Sequence, residues 1–221
     1  MISRTVIGTA LIAATGLAGA EVVVSYSFTD LNGSYDDTTQ VFSADAANSA
    51  ALETGGDVSS LVGSKGTAQY DTGFLGLGSN DVAISFDVSN ITAGGADSLG
   101  TIVITDADGD TLTATVEGFW TIINPFGFMF FSGTSADYAF TDNGDADGEF
   151  NGVTGSFDTA ALDNIFYDGA ISILLQNEGG FSSGDFREVS TQADGVLIPT
   201  PGALAIAGFG IFGMAAGRRR G

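Results

Sequence analysis

Val82-Ala83-Ile84-Ser85-Phe86-Asp87-Val88 alternates large apolar residues with small or polar ones, the period of two that a strand shows when one face is buried and the other meets water. The same period occurs upstream at Val22, Val24, Tyr26 and Phe28, and downstream at Leu112, Ala114 and Val116. Further strand segments are 101–105 (TIVIT), 119–123 (FWTII), 127–132 (GFMFFS), 136–141 (ADYAFT), 150–157 (FNGVTGSF), 170–175 (AISILL) and 186–189 (FREV), separated by Gly, Asn and Asp clusters. One short helix is predicted over 43–54 (SADAANSAALET). Many short strands between turn signals predict an all-β fold, an antiparallel β-sandwich of jelly-roll type over residues 21–197. An outer-membrane barrel is the structural alternative, disfavoured by short, uneven strands and by the apolar stretch and arginines that close the chain.

Composition narrows the chemistry. The 221 residues include 33 Gly, 17 Phe, no His and no Cys, so disulfides, thiolate metal sites, cysteine nucleophiles and histidine general bases are all excluded. Residues 21–198 hold all 27 acids against only Lys65 and Arg187, a balance of −25. Such a surface repels phosphate polymers and anionic lipid, which excludes nucleic acid as a partner and favours bound cations.

The two ends read as targeting segments. Arg4, an apolar run and small residues at Ala18 and Ala20 form a secretory signal peptide over 1–20, cleaved after Ala20. At the other end come Ile198-Pro199-Thr200-Pro201-Gly202, an apolar stretch from Ala203 to Ala216, and Arg218, Arg219 and Arg220. As a helix the stretch measures about 21 Å against a hydrocarbon core of about 30 Å, so a transmembrane helix over about 202–217 needs snorkelling arginines and a thinned bilayer. The arginines stay cytoplasmic and stop transfer.

A proline motif, a short Gly/Ala-rich apolar helix and a terminal arginine cluster, preceded by a signal peptide, resemble the PEP-CTERM sorting signal of exported bacterial proteins. Thr200 stands where the motif's glutamate would be, and the resemblance covers residues 198–221 alone. It implies an exosortase, a membrane-embedded cysteine transpeptidase, that cuts near the proline pair. For the body it implies an extracellular role, often tied to exopolysaccharide or biofilm matrix.

Three constellations in the body bear on chemistry. Asn143, Asp145 and Asp147 occupy positions 1, 3 and 5 of a calcium-type loop with Gly148 at 6, Glu149 beside it and Thr154 at 12, where a bidentate acid is needed. Asp106, Asp108 and Asp110 present alternate carboxylates between two strands, a weaker match, with Thr111 where the loop's glycine belongs, that a plain hairpin turn explains better. No cofactor is required, and Ca²⁺ is the ion these spacings suit. Trp120, within the most apolar run of the body, suits either the core or a sugar-stacking platform. No spacing singles out a catalytic carboxylate pair.

The expected function is therefore an exported, non-enzymatic protein with a structural or adhesive role in the cell envelope or matrix. Its partners are the secretion machinery, an exosortase, the membrane through the C-terminal helix, and polysaccharide. A secreted carbohydrate-binding module is the alternative, and a carboxylate-based glycosidase the third reading.

Overall fold

The computed structural model describes residues 24–46, 59–63, 66–70, 81–123, 126–144, 147–159 and 167–199. The signal-cleavage residues Ala18 and Ala20, the motif residues Thr200, Pro201 and Gly202, the tail helix, the arginines, and Asp145 lie outside these residues. Twelve strands are described: β1 (Val24–Asp36), β2 (Val41–Asp45), β3 (Ser59–Gly63), β4 (Gly66–Tyr70), β5 (Val82–Thr92), β6 (Gly95–Thr105), β7 (Thr111–Ile123), β8 (Phe128–Thr141), β9 (Glu149–Asn151), β10 (Ser156–Asp158), β11 (Tyr167–Gln176) and β12 (Phe186–Pro199).

The all-β expectation holds, and the sandwich gives way to a barrel. Strands β12, β11, β8, β7, β6, β5, β2 and β1 pair antiparallel in that order, and β1 pairs back onto β12 from Val24↔Leu197 to Tyr35↔Phe186. Eight strands of the sheet thus close into a barrel, while β4 pairs with β3 alone beyond β1. Strand β1 reaches two neighbours on its other side, β3 through Val24–Ser27 and β2 through Asn32–Asp36. The predicted helix at 43–54 begins within β2, and 47–54 lies outside the described residues.

Seemingly short strands led to the sandwich, and glycines made them look short. The segments 112–116 and 119–123 are one strand, β7, and 127–132 and 136–141 are one strand, β8. The apparent breaks, Gly118 and Gly133, are cross-strand partners. A Cβ on either would meet the Phe131 ring at 2.6 Å, so that ring occupies the space their absent side chains leave. Phe86 lies in the same way across its partner Gly100, and Tyr26 across Gly195.

Closure also needs local twist, which four bulges supply. Registers shift at Phe28/Leu31, Gly33/Tyr35, Ser89/Thr92 and Thr113/Thr115. Each extra residue takes a left-handed conformation: Asp30 (φ 64°), Glu188 (φ 55°), Asn90 (φ 52°) and Asp137 (φ 55°). Asn and Asp tolerate this region best, and a bulge there bends its strand and sharpens the twist.

Alternate side chains fill the interior. Val82, Ile84, Phe86 and Val88 point inward from β5, Leu112, Ala114, Val116, Trp120 and Ile122 from β7, and Ile171, Ile173 and Leu175 from β11. Eight strands enclose just enough room for such side chains. Phe181, from a 3-10 turn at Gly180–Ser183, closes one end, its ring 4.8 Å from Tyr35, 5.2 Å from Trp120 and 6.0 Å from Phe186 between centroids. At the other end Phe150 and Phe157 of the β9–β10 hairpin stack at 5.3 Å and present edges to Phe140 of β8. The outward positions carry Ser27, Ser85, Asp87, Thr115, Glu117, Ser132, Thr134 and Gln192. Beside them Leu99, Phe119, Ile123, Phe128, Phe130 and Leu174 also face outward, so it is the packed apolar interior that differs from the polar lumen of an outer-membrane barrel.

A Cβ at Gly100 would be driven into the Ser85 carbonyl oxygen and stand 2.7 Å from the Phe86 Cα, both backbone atoms, whereas at Gly94 it would meet nothing within 4 Å. Gly100→Ala should therefore cost about 1–3 kcal/mol or more and Gly94→Ala less than about 0.5 kcal/mol, read by denaturant unfolding.

Candidate functional site

The β6–β7 turn is built around one carboxylate. Asp106 is fully buried, and its Oδ1 accepts the backbone N–H groups of Asp108 (2.9 Å), Gly109 (2.8 Å) and Asp110 (2.8 Å). Its Oδ2 accepts the N–H of Asn151, in β9, at 2.7 Å. With three donors on Oδ1 and one on Oδ2, Asp106 organises a turn and ties it to the β9–β10 hairpin. Gly109, at φ 102°, permits the tight reversal.

The second predicted cluster folds onto the first. Asp110, also buried, accepts the Asn143 N–H on Oδ1 at 2.7 Å, and the Asn143 side-chain amide donates to the Asp108 carbonyl. The Asn151 amide donates to Asp108 Oδ2 at 3.0 Å and to Asp147 Oδ2 at 3.1 Å. Asp147 Oδ1 accepts the Glu149 N–H at 2.8 Å, and Glu149 Oε2 accepts the Ser156 hydroxyl at 2.7 Å. Two acidic segments 35 residues apart thus form one double loop, with Asn151, which sequence reasoning did not single out, as the joint.

The exposed oxygens of the double loop belong to Asp108, Asp142, Asp147 and Glu149. Among the described residues no three carboxylates converge as a ready-made metal cage. A hard cation would draw on Asp108 and Asp147, which already approach one another through the shared Asn151 amide.

Trp120 stands in the barrel interior and not on a sugar-facing surface. It is fully buried, its ring lies 5.0 Å from Phe42 and 5.2 Å from both Phe131 and Phe181, and its Nε1–H donates to Ser98 Oγ at 2.9 Å. The platform reading of Trp120 is corrected accordingly. The decisive signal was the phase of β7: Trp120 shares its parity with Leu112, Ala114 and Val116, which makes Phe119 the outward ring.

No protein-family model, curated protein or solved structure matches the chain.

Removing the Asp106 carboxylate would strand amide donors in the turn and hairpin at once. Asp106→Ala should cost at least about 3 kcal/mol in denaturant unfolding. Asp108→Ala, at an exposed position, should stay within about 1 kcal/mol. Equal effects of the two would show that the turn does not depend on the buried carboxylate.

Proposed function

We propose that the chain is an exported, non-enzymatic protein of the cell envelope or extracellular matrix, delivered by a signal peptide over 1–20 and handled by exosortase-type sorting of residues 198–221. The observation that supports this reading is where the two ends leave the barrel. Val24 and Leu197 are direct cross-strand partners, so the segment after a signal peptide and the segment before the proline motif emerge side by side. Pro199 is the last residue of β12, opposite Tyr167. A cut beyond it would leave every barrel pairing intact, as a sorting reaction on a folded cargo requires.

Membrane anchoring through the tail would orient the body. The double loop lies at the anchored end with Val24 and Leu197, and the turn at 92–95, the paired strand ends Ile123 and Phe128 and the Phe181 plug lie at the far end, because neighbouring strands are antiparallel. Strand β12, at 14 residues and about 3.3 Å per residue, sets a stand-off of tens of ångströms. A body so oriented presents its far end and outer wall to the surroundings.

Intact-mass measurement of the protein recovered from producing cells should show loss of residues 1–20 and of the segment after the proline pair. A mature species that keeps Arg218, Arg219 and Arg220 would overturn the sorting reading.

Calcium is proposed as a ligand of the double loop in this extracellular setting. An ion that binds only the folded state at ten times its Kd stabilises by about 1.4 kcal/mol, or about 3–6 °C for a domain of this size. Millimolar Ca²⁺ should raise the melting midpoint by that amount over sodium at matched ionic strength, and Asp108→Asn with Asp147→Asn should remove the excess. Equal midpoints in the two salts would reduce the double loop to a structural turn.

A further inference from the structure

A groove of about 900 Å³ crosses the outer wall over β6, β7 and β8 and runs on to Ala170 of β11. Register sets its outward side chains in two rows across the strands. Asp97, Phe119 and Ser132 stand in one row, and Leu99, Glu117 and Thr134 in the next. On β6 and β7 carboxylate and apolar groups therefore alternate along and between the rows, and β8 adds a hydroxyl to each. Strands about 4.8 Å apart make each row about 10 Å long from β6 to β8, room for more than one sugar ring. Gly118 and Gly133 also line the groove; their inward parity leaves backbone there between the outward side chains.

Phe119 is 48% exposed and Leu99 53%. The Phe119 ring is seated against the backbone of Gly95, where a Cβ would stand 2.5 Å and 2.8 Å from two ring carbons. Asp97 is oriented by the Asn90 amide, which donates to its Oδ2 at 2.7 Å. Groups held in place before a ligand arrives lose little freedom on binding.

We propose that this groove binds a neutral polysaccharide, with Phe119 as the stacking ring and Asp97 and Glu117 as acceptors for sugar hydroxyls. The negative face of an aromatic ring attracts the C–H face of a pyranose, and charged acceptors make the stronger hydrogen bonds to its hydroxyl edge. The 27 acids and two cations of residues 21–198 repel an anionic polymer. A peptide added as a strand needs an unpaired sheet edge, and β6, β7 and β8 are each paired on both sides. The proposal deepens the matrix reading by naming a ligand class, and its assay is independent of processing, which the mass measurement reads separately.

The test is a pull-down of the protein, as recovered from producing cells, on immobilised neutral glucan, galactan and mannan, with alginate and polylysine as charged comparators. Binding to at least one neutral polymer is expected, and it should be unchanged between about 0.05 and 0.5 M NaCl, because no charge is neutralised. Phe119→Ala should lower affinity about tenfold and Phe119→Tyr should stay within about threefold, with both melting midpoints near that of the parent. Any one of three results would overturn the proposal: no binding to any of the three neutral polymers, full binding by Phe119→Ala, or salt-sensitive capture by polylysine alone.

Discussion

Aromatic rings laid over glycine backbone hold the wall of this barrel to its core. Phe86 covers Gly100, Tyr26 covers Gly195, and Phe131 covers the Gly118–Gly133 pair. An eight-stranded barrel has a narrow interior, and these three rings lie where a cross-strand neighbour has no side chain. These four glycines and three rings answer one requirement. Glycine in a strand weakens it in isolation, and burial of a ring against the bare backbone offsets that cost.

The four bulges supply the other half of closure. Without the added twist at Asp30, Asn90, Asp137 and Glu188, strands of 10 to 14 residues would form a more open sheet. Most of these positions are Asn or Asp, so some of the acids that dominate the composition have a backbone role. Asp106 extends the theme, since its carboxylate replaces carbonyl acceptors for a whole turn. Acidic composition here reflects turn and bulge construction as well as surface charge.

Once the interior is filled and plugged by Phe181 at one end and by Phe150 with Phe157 at the other, chemistry is left to the outer wall and the loops. These two regions differ in character. The double loop spends much of its oxygen on backbone amides, whereas the wall over β6, β7 and β8 presents rings, hydroxyls and carboxylates outward from rigid strands. A site on paired strands is positioned more firmly than one on a turn.

The class of structure was legible in the sequence because alternation is a local property: Val82 to Val88 reads as a half-buried strand whatever surrounds it. The acid-rich turn at 106–110 was legible for the same reason. Closure was not, because it depends on the pairing of β1 with β12, more than 150 residues apart, and on rings from one strand filling space on another. The strands β3 and β4 escaped notice because Gly and Ser dilute their alternation. Parity could have placed Trp120 inside and Phe119 outside, yet only the paired register set Phe119 beside Asp97 and Ser132. The acidic clusters were visible one by one in the sequence. Their union through Asn151 was decided by the tertiary structure, because a side-chain amide bridges Asp108 and Asp147 only after the hairpin has docked on the end of the barrel.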